Sequence, residues 1–80
     1  MDSFVKNINK LHTTKMGAER IKRNCRLETE DALAWCKEQI ANKAIKTERI
    51  GKNWYILTER YKITVNAHSY TVITAHELKR

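Results

Sequence analysis

Three histidines, His12, His68 and His76, are the side chains of this 80-residue chain best suited to moving a proton near neutral pH. Two of them sit near the ends of the segment NAHSYTVITAH, residues 66–76. Metal-independent RNA cleavage needs a base for the 2′-hydroxyl proton, an acid for the leaving oxygen and a cation for the charge on the phosphorane. His76 falls at a strand end, on the core-facing side beyond the last covered row, where an imidazole could serve as base or acid. Arg49 shares a row with Trp54 and could supply the cation. The same residues have plain structural roles, because a guanidinium stacks on an indole for stability alone and His76 can simply close the sheet. His68 reads as a turn residue. At about 3.3 Å per residue, extended chain would separate it from His76 by roughly 25 Å, so the two cannot form one acid/base pair. His12, in KLHTTK with Thr13 and Thr14, lies where a second helix begins, a place for phosphate binding or for ordinary capping.

Other chemistries lack their residues. No phosphate-cradling, serine-hydrolase or zinc-protease motif occurs. Cys25 and Cys36 form no C-x-x-C unit, so no metal site and no cofactor is expected, and both cysteines read as core. The net charge of +7 implies attraction to something anionic, nucleic acid or an acidic partner, although solubility alone accounts for the same excess. Residues 42–80 concentrate it, with 8 of the 16 Lys and Arg but only 3 of the 9 Asp and Glu. No apolar run is long enough to cross a bilayer and no leader pattern is visible, so the expectation is a cytoplasmic, membrane-free protein.

The elements that must position these groups follow from periodicity. Phe4, Ile8 and Leu11 recur at helical spacing, as do Ala18, Ile21 and Cys25, and then Leu33, Cys36 and Ile40 after a Thr29 cap. From Ala44 the period becomes two and β-branched and aromatic residues take over. The expectation is a single α+β domain over residues 1–80: three N-terminal helices on one face of a four-stranded antiparallel meander. Strands are expected near 44–50, 53–58, 61–66 and 69–76, turning at Gly51-Lys52, Glu59-Arg60 and Ala67-His68. This register pairs Thr47 with Ile56, Ile56 with Ile63 and Ile63 with Val72, and places Trp54, Val65 and Tyr70 in the next row of the same buried face.

The reverse face then reads Lys46, Leu57, Lys62, Ile73, followed by Glu48, Tyr55, Thr64, Thr71 and by Asn53, Asn66, Ser69. Cations, one aromatic ring, hydroxyls and amides are the mixture with which sheets bind single-stranded nucleic acid. An ordinary solvated sheet face has the same alternation. A second basic stripe, Lys22, Arg23 and Arg26, runs along the second helix. The leading expectation is a small RNA-binding protein, with a metal-independent RNase-like activity as its extension. The alternative is a protein-interaction or inhibitory module, encoded by a mobile element, that meets its partner through a sheet edge or through Tyr55, Leu57 and Ile73.

The segments LHTTKMGAERIKRN, DALAWCKEQI, GKNWYI and ITVNAHSYTVITAH resemble those of a family of short bacterial proteins catalogued as a domain of unknown function. The resemblance runs from about Leu11 to about His76. It implies membership of that family and no activity, and it supplies no catalytic residue. Cys25 stands where an aliphatic residue is expected, in keeping with a packing role. In architecture, and in the closing strand YTVITAH, the chain is also similar to the compact RNases of bacterial toxin and phage systems.

Overall fold

The computed structural model describes residues 7–78. A 3-10 turn, Ile8–Lys10, leads into helices α1 (Lys15–Cys25) and α2 (Ala32–Asn42) and then strands β1 (Lys46–Ile50), β2 (Asn53–Leu57), β3 (Tyr61–Asn66) and β4 (Val72–Glu77). The strands make one antiparallel sheet in the order β1-β2-β3-β4. The α+β class and the meander are as expected, but the described residues hold two α-helices where three were expected. Phe4, the start of the first expected stripe, lies outside the described residues. The remainder of that stripe is spent differently: Leu11 is extended, at φ −61° and ψ 139°, and His12 pairs with Thr71 in a parallel bridge. Ile8 and Leu11 still reach the core, from a segment that covers a sheet edge.

α1 starts at Thr14, whose side chain accepts from the Gly17 amide at 2.9 Å. It stops at Arg26, in the left-handed region at φ 57°, where the Leu27 amide donates to the Lys22 carbonyl at 2.9 Å. Gly17 lets the helix approach β4 closely. A Cβ there would lie 2.5 Å from Thr13 Oγ1 and 3.6 Å from the Val72 carbonyl, and Thr13 Oγ1 already donates to that carbonyl at 3.0 Å. Alanine would gain about 1 kcal/mol of helix propensity, but it would drive Thr13 off Val72. Gly17→Ala is therefore expected to lower the melting temperature by roughly 5–10 °C, the effect of overpacking by about 1–2 kcal/mol in a domain of this size. Thermal unfolding followed by circular dichroism checks this, and a rise in melting temperature would remove the close-approach argument.

β1, β2 and β3 pair as expected, with Thr47 opposite Ile56 and Ile56 opposite Ile63. Gly51, at φ 61° ahead of a Lys52 with negative φ, suits the first central position of a two-residue hairpin loop. The pairing of β4 differs from expectation: Ile63 faces Ala75, and Val72 faces Val65 across a bulge. Asn66 is the cause. Its side-chain oxygen accepts from the amides of His68 and Ser69, each at 2.9 Å, and this stabilises a longer turn that Tyr70 completes in the left-handed region at φ 59°. A two-residue turn at Ala67-His68 cannot satisfy those contacts. The extra residues move β4 along β3 by two positions, which keeps Val72 on the buried face opposite Val65, and the bulge at Ile73 adds a third, which puts Ala75 on that face and His76 on the other.

The helices cover that face over β2 to β4, and Ile21, Cys25, Ala32, Cys36 and Ile40 meet Ile56, Ile63, Val65, Val72 and Ala75. Ala32 takes the first buried position of α2 rather than Leu33, and Asp31 rather than Thr29 caps the helix, accepting from the Ala34 amide at 2.9 Å. Thr29 Oγ1 instead accepts from the Asp31 amide at 3.1 Å. Burial pushes the Cys25 thiol up to about 11, with the Glu77 carboxylate adding to it. Burial likewise pushes Cys36 up to about 12, with Cys25 as the second cause. Both thiols stay protonated and pack as small apolar groups. β1 projects past this cover, so that only Thr47 of its residues is even half-buried.

Candidate nucleic-acid interface

The face of the sheet away from the core is laid out by the strand register. Lys46, Leu57, Lys62 and His76 form one row, and Glu48, Tyr55, Thr64 and Thr74 form the next. Ile50, Asn53 and Asn66 continue into Thr71, whose carbonyl accepts from the Asn66 amide at 2.8 Å. Two contacts tie the rows together: Lys62 Nζ lies 5.0 Å from the centroid of the Tyr55 ring, and Asn53 Nδ2 donates to the Tyr55 hydroxyl at 3.4 Å. A cation and an aromatic face thus occupy one spot on the open side of the sheet.

The third row extends beyond β4. The His12 amide donates to the Tyr70 carbonyl at 3.1 Å and the Val72 amide to the His12 carbonyl at 2.7 Å, so His12 sits beside Thr71 as a further strand position. Its ring is fixed from both sides. Nδ1 lies 3.2 Å from the Lys10 carbonyl, which can only accept, so Nδ1 carries the proton. In the neutral ring Nε2 then accepts from the Thr71 hydroxyl, 2.9 Å away. Ser69 Oγ stands 2.7 Å from Thr71 Oγ1 and 3.2 Å from Asn66 Oδ1. The result is a connected polar strip, Asn66, Ser69, Thr71 and His12, ready to exchange hydrogen bonds with base edges or sugar hydroxyls.

Of the residues singled out from sequence, Lys46, Tyr55, Lys62, Thr64, Asn66 and Thr71 share this face, and Ser69 joins it from the turn. His76 does not lie on the core-facing side. The shift of β4 turns it onto the open face opposite Lys62, where it is exposed, and moves Ile73 and Thr71 out of the rows first assigned to them. Arg49 stays on the covered side, its guanidinium 5.7 Å from the Trp54 ring and its Nε donating to the Gly51 carbonyl at 2.9 Å. His76 and Arg49 therefore occupy opposite faces, and the cation beside His76 is Lys62. His68 is exposed in the turn, away from His76.

α1 reaches the open face at β4 through Asn24. Asn24 Nδ2 donates to Thr74 Oγ1 at 3.4 Å, which brings the helix to the middle row. Arg23 and Arg26 are exposed and Lys22 is half-buried. Sequence reasoning missed Arg20, which shares a side of the helix with Asn24 four residues later, and it missed Asn24, Thr74 and the sheet role of His12. The i, i+4 spacing could have flagged Arg20. Nothing local in KLHTTK signals a strand, because its partner Thr71 lies 59 residues away. Among the described residues no group of three His, Cys, Asp or Glu side chains could hold a metal ion, and no helix is long and apolar enough to cross a membrane.

Residues 5–76 match the family described as "Protein of unknown function (DUF3781)". Neither a curated protein nor a solved structure matches the chain.

Proposed function

We propose that this chain, which belongs to the DUF3781 family, binds single-stranded RNA across the open face of its sheet. The observation that carries the reading is the Tyr55–Lys62 unit, a 5.0 Å cation–ring pair at the centre of a face edged by Lys46, His76 and the His12–Thr71–Ser69 strip. Phosphates would meet Lys46, Lys62 and the basic side of α1. Bases would stack on Tyr55 and address Asn53 and Asn66, while Thr64, on the same face, is buried. Duplex DNA fits less well, because a sheet face with a single ring presents no helix to enter a groove. Cleavage is not part of this reading, since Arg49 and His76 do not share a face. A cytoplasmic location accords with it, as does the presence of two unpaired cysteines.

Retention of a single-stranded RNA on a filter, measured against salt, tests the reading. Affinity is expected to fall steeply, with log K linear in log salt and a slope of about −0.7 for each phosphate neutralised. Failure to retain RNA at low salt sinks the proposal. Affinity for a protein but not RNA, nearly indifferent to salt, would favour the interaction-module reading, to which the uncovered β1 edge gives its own support.

A further inference from the structure

Among the described residues β1 is a sheet edge with no strand paired to its outer side at any position. The start of the β4 outer edge is taken by the backbone of His12, which bridges to Thr71, and by Thr13, which bonds the Val72 carbonyl. Along β1 nothing pairs with the outer side, and alternate residues of an edge strand turn their amides and carbonyls outward. Ile45, just ahead of the strand, and Ile50, at its end, are apolar and open to solvent, being 71% and 57% exposed. Between them Lys46 and Glu48 stand on one face, with no ion-pair partner among the described residues.

We propose that β1 pairs antiparallel with β1 of a second copy, about a two-fold axis through Thr47. Cross-strand neighbours share a face, so an axis through a given residue sets its two flanking residues opposite each other. Through Thr47, Lys46 meets Glu48 of the second copy, and the symmetry makes this ion pair twice. Ile45 then lies opposite Arg49, whose aliphatic stem can cover it. Moving the axis to Glu48 opposes two carboxylates, to Lys46 two ammonium groups, and to Arg49 two guanidinium groups. Among the axes through the interior residues of β1 that keep the helices of both copies on one side, charge thus selects Thr47, whereas an axis at Ile45 or Ile50 would overlap the two strands only at their ends. Edge charges of one sign would repel another strand, whereas these two complement themselves. Because the two-fold contact uses the same edge of both copies, each β1 edge is consumed and the association closes at a dimer rather than growing into a filament. Its product is a continuous sheet in which the two open faces adjoin, and it does not depend on RNA.

Sedimentation velocity on the full chain at low salt, from micromolar to millimolar concentration, tests the proposal. The unmodified protein is expected to dimerise. Lys46→Glu and Glu48→Lys, each placing like charges opposite twice, are expected to raise the dimer dissociation constant about tenfold or more. The double exchange K46E/E48K restores the pairs and should recover the dimer. A second measurement is independent of charge: Thr47→Cys places a thiol opposite itself, at a spacing a disulfide can span, and mild oxidation should link two chains while the buried native thiols stay unreacted. A protein monomeric at every concentration overturns the proposal. A double exchange no better than the single variants, or a Thr47→Cys chain that does not cross-link, overturns the register.

Discussion

Ile63→Ala is expected to lower the melting temperature by roughly 12–24 °C, the largest effect of any single truncation in the sheet. Ile63 is fully buried at the middle of the central row, between Ile56 and Ala75. Removing its outer carbons forfeits their transfer energy and leaves a cavity that three neighbouring elements cannot collapse into, at a cost of about 3 kcal/mol. For a domain of this length each kcal/mol moves the midpoint by roughly 4–8 °C, and total stability is only about 4–12 kcal/mol. Ile50→Ala is the control, because its side chain is largely in water and its truncation should stay within about 0.5 kcal/mol. Differential scanning calorimetry on the pair separates them. Equal melting temperatures would mean that Ile63 does not hold the centre of the core, and the β2–β3–β4 register would have to be abandoned.

The parts of the fold that were legible are those governed by local chemistry and period. The change from helical spacing to alternation after Ala44 located the sheet. The pairing of Thr47, Ile56 and Ile63 followed from Gly51-Lys52 and Glu59-Arg60, two short turns that leave the strands no choice of register. Two features resisted. The Asn66 side chain takes the amides two and three residues on and lengthens the third turn, a local motif that competes with the two-residue loop for the same letters NAHS. The bulge at Ile73, next to the Val72 that Thr13 bonds from far along the chain, then carried His76 from one face to the other, since only an odd shift exchanges the faces of a strand. The first expected helix failed for a long-range reason as well. Phe4, Ile8 and Leu11 have helical spacing, yet the chain at Leu11 and His12 is drawn straight by backbone bonds to Tyr70 and Val72. Those bonds satisfy the β4 edge, a demand that no helical period encodes.

The same logic divides the candidate site. Lys46, Tyr55 and Lys62 were legible because their strands were in register, whereas Thr74, His12 and the placement of His76 all depend on β4. The open face thus has a part set by β1 to β3 and a part set by the third turn. Substitutions in the two parts should act differently on RNA. The strip of Asn66, Ser69, Thr71 and His12 holds the turn together through its own hydrogen bonds, so truncation there would disturb fold and binding at once. Tyr55 and Lys62 offer a cleaner experiment, because each is only half-buried on the outer side of the sheet.

Tyr55→Ala is expected to weaken RNA retention by about 10–100-fold, the loss of one base stacked on an aromatic face, and to leave the salt slope unchanged. Lys62→Ala should weaken it less at moderate salt but reduce the slope by about 0.7, the signature of one lost phosphate contact on a single strand. The two effects differ in kind because the ring contributes no counterion release and the ammonium contributes little stacking. Arg49→Ala serves as the control: it removes an equal charge from the opposite face, where the guanidinium lies over Trp54, and retention should fall only by the weak effect of net charge. If Arg49→Ala costs as much as Lys62→Ala, binding follows overall charge and the open face has no special part in it. A Tyr55→Ala protein that melts lower but retains RNA normally would show that Lys62 rests on the ring for stability alone.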